Sequence, residues 1–257
     1  MNVSVSSRSV VGIALAFGVL ASAGTALAAF VPGASLVNPG LSGNTSFSAW
    51  TSLNAGTYPG FGAFPGTGAW PSSLNPNVAG SGSAKLGKVA NGAGGGPYVA
   101  SGSIYFGGFS STVNFFGGTL AVSNATPLTN LSNIVFQLQI GEAWTYDLYN
   151  HVLPVLSYNG GAQNIAATYS AVTEKYDNGT VTMPTGEETV YINTYMLQWD
   201  LSALGPISSY SIAFSGVQHA QVYSARVDES DVYSRIPSAG SLALFGVAGL
   251  ASVRRRR

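Results

Sequence analysis

The sequence predicts an all-β fold, an antiparallel β-sandwich of the jelly-roll kind. Three features carry that expectation. Beyond residue 100, apolar and polar residues alternate with period two in short runs rich in β-branched and aromatic side chains. Asn178-Gly179 stands between two extended runs, and Asn-Gly takes the positive φ of a tight hairpin turn at little cost. Between the two ends of the chain, no apolar stripe of helical spacing persists for ten residues. Many short strands at spacings of about 8–12 residues suit a sandwich or a barrel. The lack of an internal repeat speaks against a β-helix.

The first element, residues 1–28, reads as a secretory signal helix. Arg8 is its only charge, an apolar run follows from Val10 to Ala21, and Ala26 and Ala28 put small residues where a signal peptidase reads. Cleavage is expected after Ala28. The run is shorter than the ~20 residues of a stable membrane span. Residues 29–235 are expected to form a single domain with a loop-rich first half. Gly and Pro crowd Gly56–Gly66 and Asn91–Pro97, which read as turns and loops. Ser101–Phe106 and Thr112–Phe116 are short strand candidates. In Asn133–Ile140 the residues Ile134, Phe136, Leu138 and Ile140 mark a buried face, with Val135, Gln137 and Gln139 on a wetter one. Trp144, Tyr146 and Leu148 alternate in the same way. So do Tyr195, Leu197, Trp199 and Leu201, then Tyr210, Ile212 and Phe214, then Ala220, Val222 and Ser224. Asp177–Thr180 is expected to turn a hairpin between Tyr169–Tyr176 and Val181.

The last element, residues 236–257, mirrors the first. Pro237 is followed by mainly apolar residues from Ser241 to Val253, then by Arg254, Arg255, Arg256 and Arg257. A helix over those apolar residues reaches only ~20 Å of a ~30 Å hydrocarbon core. Such a segment crosses the bilayer briefly, with its arginines held on the cytoplasmic side. Pro237, the run Leu242–Leu250 and the four arginines resemble the PEP-CTERM sorting signal of bacterial surface proteins. In that family a Pro-Glu-Pro motif precedes the apolar helix; here Ser238 and Ala239 stand in place of Glu and the second Pro. The signal segment implies export, and the resemblance implies sorting, with processing by an exosortase-type enzyme during transient membrane insertion of the tail. It also implies residence at the cell envelope, the cell surface or outside the cell. A plain single-pass tail anchor is the competing reading.

Charged residues make up 8% of the chain, against about 25% in an ordinary soluble domain. Without the two ends, five basic and ten acidic residues remain, a net charge of −5. All ten acids lie at Glu142 or later, and only Lys85 and Lys88 are charged from Ala29 to Gly141. This balance argues against a nucleic-acid partner. Cysteine is absent, so there is no disulfide framework and no thiolate chemistry. His151 and His219 are the only histidines and lie far apart, which gives a transition-metal site no support. Asp228-Glu229-Ser230-Asp231 and Asp177-Asn178 offer oxygen ligands for a structural calcium, but neither has the spacing of a calcium loop. They read as solvated turns, and no cofactor is expected.

No Gly-x-Ser-x-Gly elbow occurs. Glu142, Asp147, Glu174, Glu187 and Glu188 are the candidates for a glycosidase carboxylate pair. They lack a signature and read as ordinary solvated acids, Glu187 and Glu188 beside a Pro184-Thr185-Gly186 turn. The chain therefore reads as no enzyme. One aromatic constellation remains, Trp50, Tyr58, Phe61, Phe64 and Trp70 within a Gly/Pro-rich stretch. Flat rings stack on the C–H faces of sugars, which makes Trp50, Tyr58 and Trp70 candidate glycan contacts. Trp50 and Trp70 also suit packing over the sandwich edge, and Trp144 and Trp199 read as core. The expected function is a non-catalytic exported protein of the surface or extracellular matrix. A carbohydrate-binding module, with an extracellular polysaccharide as partner, is the alternative; a glycoside hydrolase stands third.

Overall fold

The computed structural model describes residues 29–183 and 186–236. The signal segment with Ala26 and Ala28, the tail with Pro237 and Arg254–Arg257, and both expected terminal helices lie outside the described residues, as do Pro184 and Thr185. The strands are β1 (Thr45–Trp50), β2 (Lys85–Asn91), β3 (Tyr98–Val99), β4 (Ile104–Tyr105), β5 (Phe116–Asn124) and β6 (Asn133–Gly141). They continue with β7 (Val155–Tyr158), β8 (Tyr169–Met183), β9 (Gly186–Asp200), β10 (Tyr210–Val217) and β11 (Gln221–Ser230). A single 3-10 turn, Tyr149–His151, is the helical content of the described residues. No helix among them is long and apolar enough to cross a membrane.

The strands form two antiparallel sheets in a sandwich-like arrangement. The larger has the order β3-β4-β11-β6-β9-β8, with β1 also paired to β11; the smaller has the order β2-β5-β10-β7. On β11, β1 takes Ala225–Ser230 and β4 takes Gln221–Val222, so the two share one edge end to end. One apolar cluster fills the space between the sheets, with Leu138, Leu197, Trp199 and Val222 from the larger and Leu86, Val122 and Ile212 from the smaller. Phe136 and Phe214 meet across it at 6.0 Å between ring centroids. Burying rings and branched side chains on one face of each sheet is the driving force that period two encodes.

Several expectations need correction. The face of β6 bearing Val135, Gln137 and Gln139 is not wet, since every β6 residue is buried. Residues 33–41 run across it as a strap. Val37 N donates to Gln137 Oε1 (2.9 Å), Gln137 Nε2 donates to Val37 O (2.7 Å), and Gly33 N donates to Gln139 Oε1 (2.7 Å). Asn178-Gly179 turns no hairpin. Strand β8 continues through it, and the register steps from Asp177↔Tyr191 to Thr180↔Thr189, so two residues oppose one in a bulge. Gly179 supplies the positive φ (+90°) there, and Glu187 and Glu188 belong to strand β9 rather than to a turn. Trp144, Tyr146 and Leu148 lie on no strand; they form a tight loop in which Trp144 has φ +60° and is only partly buried. Thr112–Phe115 is loop, and the strand begins at Phe116.

The first half is less loop-like than its composition. Strands β1, β2 and β3 arise within residues 32–100, and Gly95, Gly96 and Pro97 are buried. Glycines there close-pack backbone on backbone: a β-carbon on Gly96 would stand 2.3 Å from Gly107 N, and one on Gly92 2.3 Å from Gly117 C. Asp228 and Glu229 are buried strand residues rather than a solvated turn. Ile236, which the sequence assigns to the tail, is buried against Val135 and Met196, and its N–H donates to Gln198 Oε1 (3.1 Å).

Candidate functional site

The three candidate glycan contacts join one apolar cluster, Tyr58 and Trp70 through Phe61 between them, and differ in exposure. Trp50 is fully buried and donates Nε1–H to Leu74 O at 3.2 Å. Tyr58 is buried, and its hydroxyl donates to Asn75 O at 2.5 Å. Burial pushes that phenol up to about 12. Both rings belong to the apolar core, and neither offers a face to a ligand. Trp70 differs. It is partly buried, meets Phe61 edge-on at 5.9 Å, and has its Nε1–H buried without an acceptor.

Trp70 lines a groove of about 500 Å³ between residues 67–73 and the free edge of β2. Strand β2 is an edge strand, paired to β5 on one side, and on the other only Leu86 bridges to Leu74. Past Leu86 the edge stays open. Lys88, Val89 and Asn91 then form one wall, and Thr67, Trp70, Ser72 and Ser73 the other. Lys88 Nζ donates to Gly66 O (2.8 Å) and Gly68 O (2.5 Å), and Asn91 Nδ2 donates to Thr67 O (2.7 Å), so both side chains hold the opposing loop. Burial lowers the Lys88 pKa below the usual lysine value. Trp70 and Lys88 also line an adjoining hollow of about 210 Å³ beside Gly60–Gly68 and Tyr98. The arrangement offers a flat ring, hydroxyls, an amide and one cation along an open trough.

The candidate acids fall elsewhere. Glu142 and Asp147 come together through Asn193, whose Nδ2 donates to Glu142 Oε1 (2.9 Å) and Asp147 Oδ2 (2.8 Å). Asp147 also accepts from Tyr195 OH (2.8 Å) and Leu148 N (2.5 Å), and Glu142 accepts from Tyr191 N (3.1 Å). Burial and the Asp147 carboxylate hold the Tyr195 phenol well above its ordinary value. Lys175 lies 3.6 Å from Glu142 and over the Tyr191 ring. These bonds clamp the loop after β6 onto β9. Glu174, Glu187 and Glu188 are not gathered with them.

Among the described residues, no three His, Asp or Glu side chains are grouped to hold a metal. Asp228 is engaged by both Arg226 Nε (2.8 Å) and Nη2 (2.6 Å), Asp231 accepts from Asn44, and Asp177 accepts from Gly179 N. His219 Nε2 donates to Ser110 O (3.2 Å), so its Nδ1 accepts from Tyr105 OH (2.5 Å). His151 stacks on Tyr146 at 4.2 Å. Sequence reasoning missed Lys88 and Asn91, whose only sequence mark is the isolation of two lysines in a long uncharged stretch. In comparisons with protein-family models, curated proteins and solved structures, the chain has no match.

Proposed function

We propose that the chain is a non-catalytic exported protein of the cell surface or extracellular matrix, trimmed by a signal peptidase and processed at its C-terminal tail by an exosortase-type enzyme. The observation that carries this reading is the junction at Ile236. The folded body is pinned there by Gln198, whose Nε2 donates to Ser234 O (2.7 Å) and whose Oε1 accepts from Ile236 N. The next residue is Pro237, which opens the sorting-like segment. On this reading, cleavage beyond Pro237 leaves the bonds of Gln198 to Ser234 and Ile236 in place. That junction sits at the end of the large sheet holding Asn133 and Asp200. The groove reaches the opposite end, where Asn91 pairs with Gly118 and β6 ends at Gly141.

The jelly-roll expectation draws support from the strand order. The run β1-β11-β6-β9 places the first strand beside the last, and β5, β6 and β7 alternate between the two sheets. Mass analysis of the intact protein recovered from its native host tests the functional reading. A species that starts at Ala29 and ends near Pro237 is expected; a product that keeps Arg254–Arg257 in the membrane overturns it.

Carbohydrate binding is the second reading, favoured by the open trough on which Trp70 is the aromatic wall. Sugar rings present apolar C–H faces to such a ring, while Asn91, Ser72 and Ser73 meet hydroxyls. Affinity electrophoresis through gels holding different polysaccharides tests it. Retardation by at least one is expected, and free migration through all of them removes it.

A further inference from the structure

We infer that the groove between β2 and residues 67–73 binds an acidic polysaccharide, with a sugar ring on Trp70 and its carboxylate at Lys88. The assignment rests on the carbohydrate-binding reading and adds to it the charge of the ligand. Lys88 is a cation on a groove wall with no counter-ion. Neither ion pair among the described residues involves it, and its neighbours Gly66 and Gly68 contribute neutral carbonyl oxygens. An ammonium has three donors, and two are spent on those carbonyls, which fixes the head and leaves one for a ligand.

The wider charge layout agrees. From Ala29 to Gly141 the sequence has no acid. Glu174, Asp177, Glu187 and Glu188 lie on β8 and β9, the far edge of the larger sheet. The groove is at the other side of the sandwich, where β1 and the chain around Leu74 meet through Trp50 Nε1 and Leu74 O. An anionic chain reaching Lys88 therefore avoids the acidic edge of a body whose net charge is −5. A neutral glycan would offer the partly buried ammonium no opposite charge beyond the two carbonyl bonds it already has.

The experiment is affinity electrophoresis of the tail-free body, residues 29–236, through gels of alginate or polygalacturonate and of neutral dextran. Wild type is expected to be retarded by an acidic gel, less so as salt rises, and to pass dextran freely. Lys88→Gln and Trp70→Ala are each expected to weaken binding to the acidic gel by about tenfold or more. Because Lys88 also holds the loop, Val89→Glu serves as a second variant. Val89 is exposed on the groove wall, so the change sets a carboxylate beside Lys88 without touching its carbonyl bonds; it is expected to abolish acidic retardation while leaving the melting temperature unchanged. Retardation by dextran but by neither acidic gel overturns this inference and leaves the carbohydrate reading standing. Equal retardation of wild type and Val89→Glu moves the site elsewhere and also overturns it. Free migration in every gel removes both.

Discussion

A β-carbon added at Gly117 falls 2.6 Å from both the carbonyl carbon and the oxygen of Val217, and 2.8 Å from Gln218 N. Those are backbone atoms of the neighbouring strand and its turn, which cannot swing aside as a side chain would. Gly117→Ala is expected to destabilise by about 1–3 kcal/mol through overpacking. Gly102 has nothing within 4 Å of an added β-carbon and no positive φ, so Gly102→Ala should be neutral or stabilising by up to about 1 kcal/mol. Urea midpoints of the two variants check the pair, and equal midpoints would mean that the glycine contacts are looser than described. Glu229 is the buried counterpart in polar terms. It is 2% exposed, and it accepts from Asn124 Nδ2 (2.6 Å), Tyr210 OH (2.8 Å) and Leu128 N (2.9 Å), which ties β11 to the smaller sheet across the core. Glu229→Ala strands two buried donors and one part-buried donor and is expected to cost about 3 kcal/mol, whereas Tyr210→Phe removes one of three partners and should cost about 1–2 kcal/mol. The double variant should fall short of the sum, because both changes break one network; strict additivity would show that the groups do not act together.

Among the elements, the strap over β6 depends on two glutamines that the sequence marks as solvent-facing. Gln137 is bonded to both the N–H and the C=O of Val37, in the manner of a strand neighbour, and Gln139 Nε2 donates to Ser35 Oγ (2.5 Å). Gln137→Ala should cost about 1–2 kcal/mol and speed hydrogen exchange at the Val37 amide, with the Leu86 amide in the other sheet unchanged. Equal protection in both proteins would show that the strap is held by Leu41 and its apolar neighbours instead. The same element explains what the sequence conceals. Alternation in β6 identifies the strand and its core face, because Ile134, Phe136, Leu138 and Ile140 must face one way. It says nothing of a cover supplied from a hundred residues away, since a Gln that bonds backbone looks like a Gln that bonds water. Asn178-Gly179 misleads for a related reason. A hairpin turn and a bulge both call for positive φ, and what separates them is whether partners continue on β9, a long-range fact. Strands β2 and β5 escape notice because Gly87, Gly117 and Gly118 dilute their alternation, yet Gly117 and Gly118 are where neighbouring backbone comes too close for a side chain. Trp70 is legible as a ring among loops; that it stays partly exposed where Trp50 and Tyr58 are buried, and that it shares a groove with Lys88, depends on how residues 58–74 fold back onto β2.

At the scale of the whole molecule, the sandwich holds tyrosine hydroxyls in places that oppose their ionisation. Burial raises the pKa of Tyr98, Tyr105 and Tyr223, and takes Tyr58 to about 12. Tyr195 and Tyr210 are shifted further up, because burial is joined by the facing carboxylates of Asp147 and Glu229. An unfolded tyrosine ionises near 10. Each raised group therefore contributes stability that is fully present below about pH 10 and is lost as pH rises through the folded value, since only the unfolded chain releases its protons in that window. The two network tyrosines sit in opposite regions of the fold, Tyr195 with the loop after β6 and Tyr210 between the sheets, so alkali should weaken the whole sandwich rather than fray one edge. Urea midpoints are expected to hold level from pH 8 to about 10 and then fall steeply towards 12. Tyrosinate absorbance should rise in two parts, an early one from exposed rings and a late one coincident with loss of near-ultraviolet circular dichroism. Tyr210→Phe should flatten the fall while lowering the plateau, because it removes both the raised proton affinity and the bond to Glu229. If the full tyrosinate signal develops near pH 10 with the dichroism intact, the phenols are open to solvent and the packing between the two sheets is not as described.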